Sequence, residues 1–205
     1  MKPADWHRPL YVIDVEGNGA NPPDLVEVAA IPLDEGRARP ERARTWLIQP
    51  PTPIPACITR IHGITNTMLE DAPSWEQSSG EVRELLDGAW IAAHHASVEY
   101  NALTRHLPDW QPEGVLDTLR LAKDADPGQR GYGLDALLER TGIDLSGVTG
   151  QRHRAAFDAH ATALLLLHLA ERYPAWDALV AAAVPPRMPG APAPAPPPTI
   201  EETLW

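Results

Sequence analysis

An apolar strand that carries two acids on one face leaves this chain few ways to fold. The segment LYVIDVEGNGANPPDLVEV, residues 10–28, opens as a buried run of Tyr, Val and Ile that Asp14 and Glu16 interrupt. Residues two apart on a strand project to the same side, so both carboxylates point together. Adjacent like charges raise each other's energy unless something positive neutralises them. The rest of the chain must bring that partner, or further groups that recruit it, to the end of this strand.

Strands are expected at residues 10–16, 25–33 and 43–49, joined by the Gly- and Pro-rich turns GNGANPPD and DEGRARPE. Pro32 lacks a ladder donor and suits a strand end, edge or bulge. PPTPIPACITRIHGIT reads as a loop closing on a short helix. Beyond it the pattern alternates: helix 74–86, strand 90–93, helix 98–107, strand 114–119, then helices over 133–140, 155–173 and 175–184. Antiparallel strands followed by this alternation predict an α/β fold with a mixed central β-sheet flanked by helices. The composition then changes abruptly. Residues 185–199, PPRMPGAPAPAPPPT, have the character of a semi-rigid spacer, and a hexapeptide, IEETLW, follows. The expected organisation is a folded domain over 1–184, a Pro/Ala-rich linker over 185–199 and a terminal peptide over 200–205.

A net charge of −11 argues against coating nucleic acid by bulk electrostatics, though it leaves room for gripping a strand end. The single cysteine, Cys57, excludes an internal disulfide and a Cys-rich zinc site, as suits a reducing compartment. No apolar stretch reaches membrane-spanning length and MKPADWHRPL has no signal core, so the expectation is a cytoplasmic protein with no membrane association.

Further acids stand out against their surroundings. Glu99, in IAAHHASVEYNALTRHL, opens a helix directly after a short strand, and Asp158, in QRHRAAFDAHATALLLLHL, lies near the start of the longest helix. Asp158, Thr162, Leu165 and Leu169 share one helical face, which turns the acid inward or into a cleft. Taken singly, Glu99 and Asp158 also fit acids placed against a helix dipole, and His153 fits a surface or capping histidine.

In order, IDVEGNG, HHASVEYNAL and RHRAAFDAHATALLLL resemble the three motifs of DEDDh-type 3′–5′ exonucleases, which include the proofreading subunits of bacterial replicative polymerases. ITRIHGIT, VLDTLRLAK and GYGLDALLERTGI support the match, which covers roughly residues 10–169. The resemblance implies a ribonuclease H-like fold and phosphodiester hydrolysis from a 3′ end of DNA or RNA by a two-metal mechanism. Asp14, Glu16 and Asp158 would hold two Mg²⁺ or Mn²⁺ ions, with Glu99 completing the catalytic acids. His153, with four residues between it and Asp158, would be the general base. Gly17, Asn18 and Gly19 would lie under the terminal nucleotide, and His62 of the IHGIT segment would line the substrate cleft.

Two positions depart from the family pattern. Glu99 stands where aspartate is usual, adding one methylene, about 1.5 Å of reach. Val98 replaces an aromatic residue. Glu99 also motivates an alternative, a catalytically weak module that binds nucleic-acid ends or a replisome component. His94 matches the usual histidine of its motif and is expected to be structural, as is His95. The hexapeptide loosely resembles peptides that dock proteins into the bacterial sliding clamp, with Leu204 and Trp205 as anchors, although Glu201 stands where glutamine usually leads.

Overall fold

Alternating apolar residues make the first strand two-sided, and the computed structural model, which describes Trp6 and residues 8–193, shows what covers each side. The docking peptide with Leu204 and Trp205 falls outside the described residues. Strand β1 (Leu10–Gly17) pairs antiparallel with β2 (Leu25–Asp34), Leu10 opposite Leu33 and Glu16 opposite Glu27. The far edge of β2 is shared by β3 (Arg37–Ala38) and β4 (Arg44–Leu47), both antiparallel to it. On the other side of β1, β5 (Trp90–Ala93) and β6 (Gly114–Asp117) continue the sheet in parallel. The result is a six-stranded mixed sheet, as the order of sequence elements predicts.

Two helical layers flank it. Helix α1 (Ala56–His62) follows the strand meander. Helices α2 (Trp75–Leu86) and α3 (Ser97–His106) cover one face, where Ile13, Val28, Ile91 and Val115 meet Val82, Leu86 and Leu103. Helices α4 (Thr118–Ala125), α5 (Leu134–Thr141), α6 (Ala155–Ala170) and α7 (Trp176–Ala183) cover the other, over Leu10, Val12, Ala92 and Leu116. Helix α6 is buried nearly all round, as an interior helix should be. Where it crosses β2, Ala155 and Ala159 meet Ala29 and Ile31. Small side chains at i and i+4 let the helix lie close to the sheet.

The structure shortens some expected elements. The strand expected over 114–119 ends at Asp117, whose carboxylate accepts the amides of Leu119 at 2.8 Å and Arg120 at 3.4 Å. That side-chain cap starts α4, a helix the sequence pattern did not suggest. Helix α6 stops at Ala170 rather than running to Tyr173, whose hydroxyl donates to Asp124 at 2.7 Å.

The start of the proline-rich segment is folded onto the sheet. The Pro189 carbonyl accepts the Val115 amide of edge strand β6 at 3.1 Å. A Cβ on Gly190 would come within 2.6 Å of the Trp90 ring and 3.0 Å of the Gly114 Cα, so only glycine allows this approach. Among the described residues no helix is long and apolar enough to cross a membrane.

Candidate active site

The alternation of β1 carries its own site. Leu10 and Val12 point into the layer that holds α6, and Asp14 and Glu16 continue that register toward the strand's carboxyl end. There the first turn of α6 presents Asp158. The close packing of Ala155 and Ala159 on β2 brings helix and strand near enough for the three acids to meet. Carboxylate oxygens of Asp14, Glu16 and Asp158 all lie within 4.8 Å of one another, a spacing at which one cation can be shared.

The electrostatics of this cluster are those of acids crowded together in a buried place. Burial pushes the Asp14 carboxyl well above the usual range, and the charges of Glu99, Glu16, Asp158 and Glu27 push it further. Burial, then Asp158 and Glu27, raise Glu16 to about 8 against the opposing pull of Arg154. Asp158 is also raised by burial, offset by His153, by the hydrogen bond from its amide, and by Arg152.

Glu99 sits in the first turn of α3 and is 6% exposed. It stands outside the group of three oxygens but close enough to be the largest charge acting on Asp14. Its Oε2 is buried without a hydrogen-bond partner, and burial raises its carboxyl to about 8. A buried acid oxygen without a hydrogen-bond donor, beside a cluster of raised carboxylates, has the chemistry of a cation ligand. This donor set, all hard oxygen, fits Mg²⁺ or Mn²⁺.

His153 precedes α6 at the surface, with φ at +59°. Its amide donates to Asp158 Oδ2 at 3.1 Å, so its backbone is anchored to the carboxylate cluster. Val98 is 51% exposed at the start of α3.

The turn after β1 is held from within. Asn18 is 1% exposed; its Nδ2 donates to Asp24 and to the Thr52 carbonyl, and its Oδ1 accepts the Ala20 and Asp24 amides. Its own amide donates to the Asp24 carbonyl. Asn18, expected beneath the terminal nucleotide, builds the turn there and directs its side-chain hydrogen bonds to the protein itself. Gly19 adopts φ of +80°, and a Cβ there would overlap Ile58 of α1. His62, also expected in the cleft, is 1% exposed. Its Nδ1 accepts the Ile64 amide, and burial lowers its pKa against the opposing effect of the Gly17 backbone. His94 is structural: its ring nitrogens bond the Thr118 hydroxyl and the Tyr132 carbonyl, both at 2.9 Å. His95, at φ of +71°, donates its amide to Asp117.

One pair escaped the sequence reading. Glu27, 1% exposed in β2, grips Arg154 with two hydrogen bonds, Nη2 to Oε1 at 2.6 Å and Nε to Oε2 at 3.0 Å. The signal was available. Glu27 interrupts the apolar run LVEVAAIPL just as Asp14 interrupts its own strand.

Comparison with known proteins agrees with this geometry. Residues 11–166 match the sequence profile of the Exonuclease family. The chain is 35% identical over 173 residues to the 3′-5′ exonuclease DinG of Bacillus subtilis, covering 80% of this chain and 18% of that protein. It is 32% identical over 166 residues to a DNA polymerase III subunit epsilon-like protein of Rhodobacter capsulatus, covering 78% of this chain and 23% of the relative. It thus spans about a fifth of the length of these relatives. Among solved structures, exonuclease X in complex with 5′ overhanging duplex DNA superposes with a TM-score of 0.67 at 29% identity, over 79% of this chain and 91% of that one. The fold is accordingly ribonuclease H-like. With a matching profile over most of its length and the acids of all three motifs gathered around one strand end, this chain belongs to the Exonuclease family.

Proposed function

We propose that this protein is a metal-dependent 3′–5′ exonuclease that hydrolyses phosphodiester bonds from the 3′ end of a nucleic acid. The observation that carries the reading is the convergence of Asp14, Glu16 and Asp158 within 4.8 Å from elements more than a hundred residues apart. Named 3′-5′ exonuclease activity in a relative, and DNA in the complex of a structural neighbour, support it.

Asp14, Glu16 and Asp158 would hold two Mg²⁺ or Mn²⁺ ions, with Glu99 acting on the same site directly or through a water. Bound ions supply positive charge that acidifies the attacking water and stabilises the leaving 3′ oxygen. His153, as the neutral imidazole, accepts the proton of the water as its oxygen attacks phosphorus. The bond from phosphorus to the 3′ oxygen breaks, solvent water supplies a proton to that oxygen, and a nucleoside 5′-monophosphate departs. His153 sits at the surface before α6, where it can approach a bound strand end. Gly17 and Gly19 form the floor beneath the terminal nucleotide, shaped by Asn18 from below. His62 supports that floor from α1.

Stepwise shortening of 3′-labelled single strands, with Mg²⁺ or Mn²⁺ and not with EDTA, tests this. If wild type and Asp14→Ala behave alike in both metals, the enzyme reading fails. A weak end-binding module is the second reading, favoured by Glu99 standing outside the three-oxygen group. Strand-end binding without shortening in either metal would establish it.

The peptide 200–205 is proposed as a docking segment, with Leu204 and Trp205 as anchors for a sliding clamp. Its deletion should leave cleavage of short oligonucleotides unchanged and abolish clamp binding.

A further inference from the structure

Three consecutive residues at the entrance of α6 are fastened to two carboxylates, one from the helix's own first turn and one from β2. The His153 amide donates to Asp158. The Arg154 guanidinium is gripped on two edges by Glu27. The Ala155 amide, the first of the helix, donates to the same Glu27 at 2.9 Å. Arg154 occupies the capping position of α6 without a side-chain cap of its own, so Glu27 caps the helix from the neighbouring strand. Glu27 lies directly opposite Glu16 in the β1–β2 ladder, on the face that carries the acid cluster.

His153 itself holds a left-handed backbone, φ of +59°, which a residue with a Cβ keeps only when its surroundings over-determine it. Asp158 fixes the amide on one side of that residue. On the other side, Arg154 and Ala155 are fixed by Glu27, whose side chain is 2% exposed. A bidentate carboxylate–guanidinium pair supplies direction as well as attraction. We propose that Glu27, through Arg154 and the Ala155 amide, is a positioning residue that sets the orientation of His153 for proton transfer. The inference rests on the exonuclease reading for the role of His153, while the clamp itself can be measured without activity.

A simple staple of α6 onto β2 would use the same bonds, so the test must separate positioning from stability. Glu27→Gln keeps the shape and an acceptor for the Ala155 amide; Arg154→Gln and the double variant cover a failure of the single Glu27 variant to fold. In variants that remain folded at the assay temperature, kcat on a 3′-labelled oligonucleotide should fall about 10–100-fold with KM and Mn²⁺ affinity unchanged. In a His153→Ala background, Glu27→Gln should add no further loss. Amide hydrogen exchange at His153 should speed up in either single variant. Full kcat in Glu27→Gln and Arg154→Gln, or an equal added loss in the His153→Ala background, overturns the proposal. If wild type cleaves nothing, the exonuclease reading fails by itself. Unchanged exchange at His153 would then still overturn the clamp.

Discussion

The amide of His153 donates to an Asp158 carboxylate oxygen at 3.1 Å, so the proposed base is tied by its backbone to a proposed metal ligand. The two roles should nevertheless separate. His153→Ala should lower kcat by about 10²–10⁴ while Mn²⁺ binding measured by calorimetry is retained. Asp158→Asn keeps an acceptor for the amide but removes the charge, and should weaken Mn²⁺ binding as well as turnover. Loss of metal binding in His153→Ala would assign the histidine to coordination instead.

Stability should depend on pH in a direction unusual for acidic clusters. Between 4.5 and about 8 the folded, metal-free chain retains protons on Glu16 and Glu99 that the unfolded chain releases. The unfolded state then binds fewer protons, so raising the pH favours unfolding. This contribution is fully present below 4.5 and is lost as pH rises through about 8. The thermal midpoint in EDTA should fall across that window, and saturating Mn²⁺ should restore it at the alkaline end. A midpoint that rises with pH in EDTA would contradict the raised carboxyls.

Glu99 invites opposite effects on stability and activity. Glu99→Gln removes a buried carboxyl whose Oε2 has no partner. The metal-free variant should melt higher, by about 2–4 °C for each kcal/mol gained in a chain of this size. Its turnover should fall. Glu99→Asp draws the carboxylate back by about 1.5 Å, away from the reach that the glutamate has toward Asp14, and should also lower turnover. An increase in turnover would mean that the glutamate tunes the enzyme down.

Gly19 is a local test of the turn. Gly19→Ala adds a Cβ that overlaps Ile58 and imposes a left-handed backbone on a residue that resists it. Destabilisation of about 1–3 kcal/mol in urea denaturation is expected. A neutral substitution would show that α1 can yield.

Sequence revealed the elements whose signals are local and periodic. The acids of β1 stood out because strand alternation sets two carboxylates side by side on one face of an otherwise apolar strand. Helix α6 stood out by length. What stayed hidden depended on contacts made at a distance. Asp117 looks like the middle of a strand until its carboxylate turns back onto the amides of Leu119 and Arg120 and starts α4. Glu27 looks like one more acid until it meets Arg154, which follows it by 127 residues. Asn18 carries the residue type of a ligand-binding turn, yet its side chain bonds Asp24 and Ala20 within the loop and the Thr52 carbonyl beyond it. In each case residue type announced a polar role and only the fold chose the partner.

The strip of backbone that runs along β6 gives the sheet a definite end. Pro189 offers its carbonyl to the Val115 amide, so that donor of the edge strand is already taken. A foreign strand arriving at that point finds the Val115 donor already engaged. At high concentration, or while newly made copies crowd one another, the margin beside β6 is thus guarded against joining molecule to molecule. A stretch of sequence that reads as mere spacer begins as a seal.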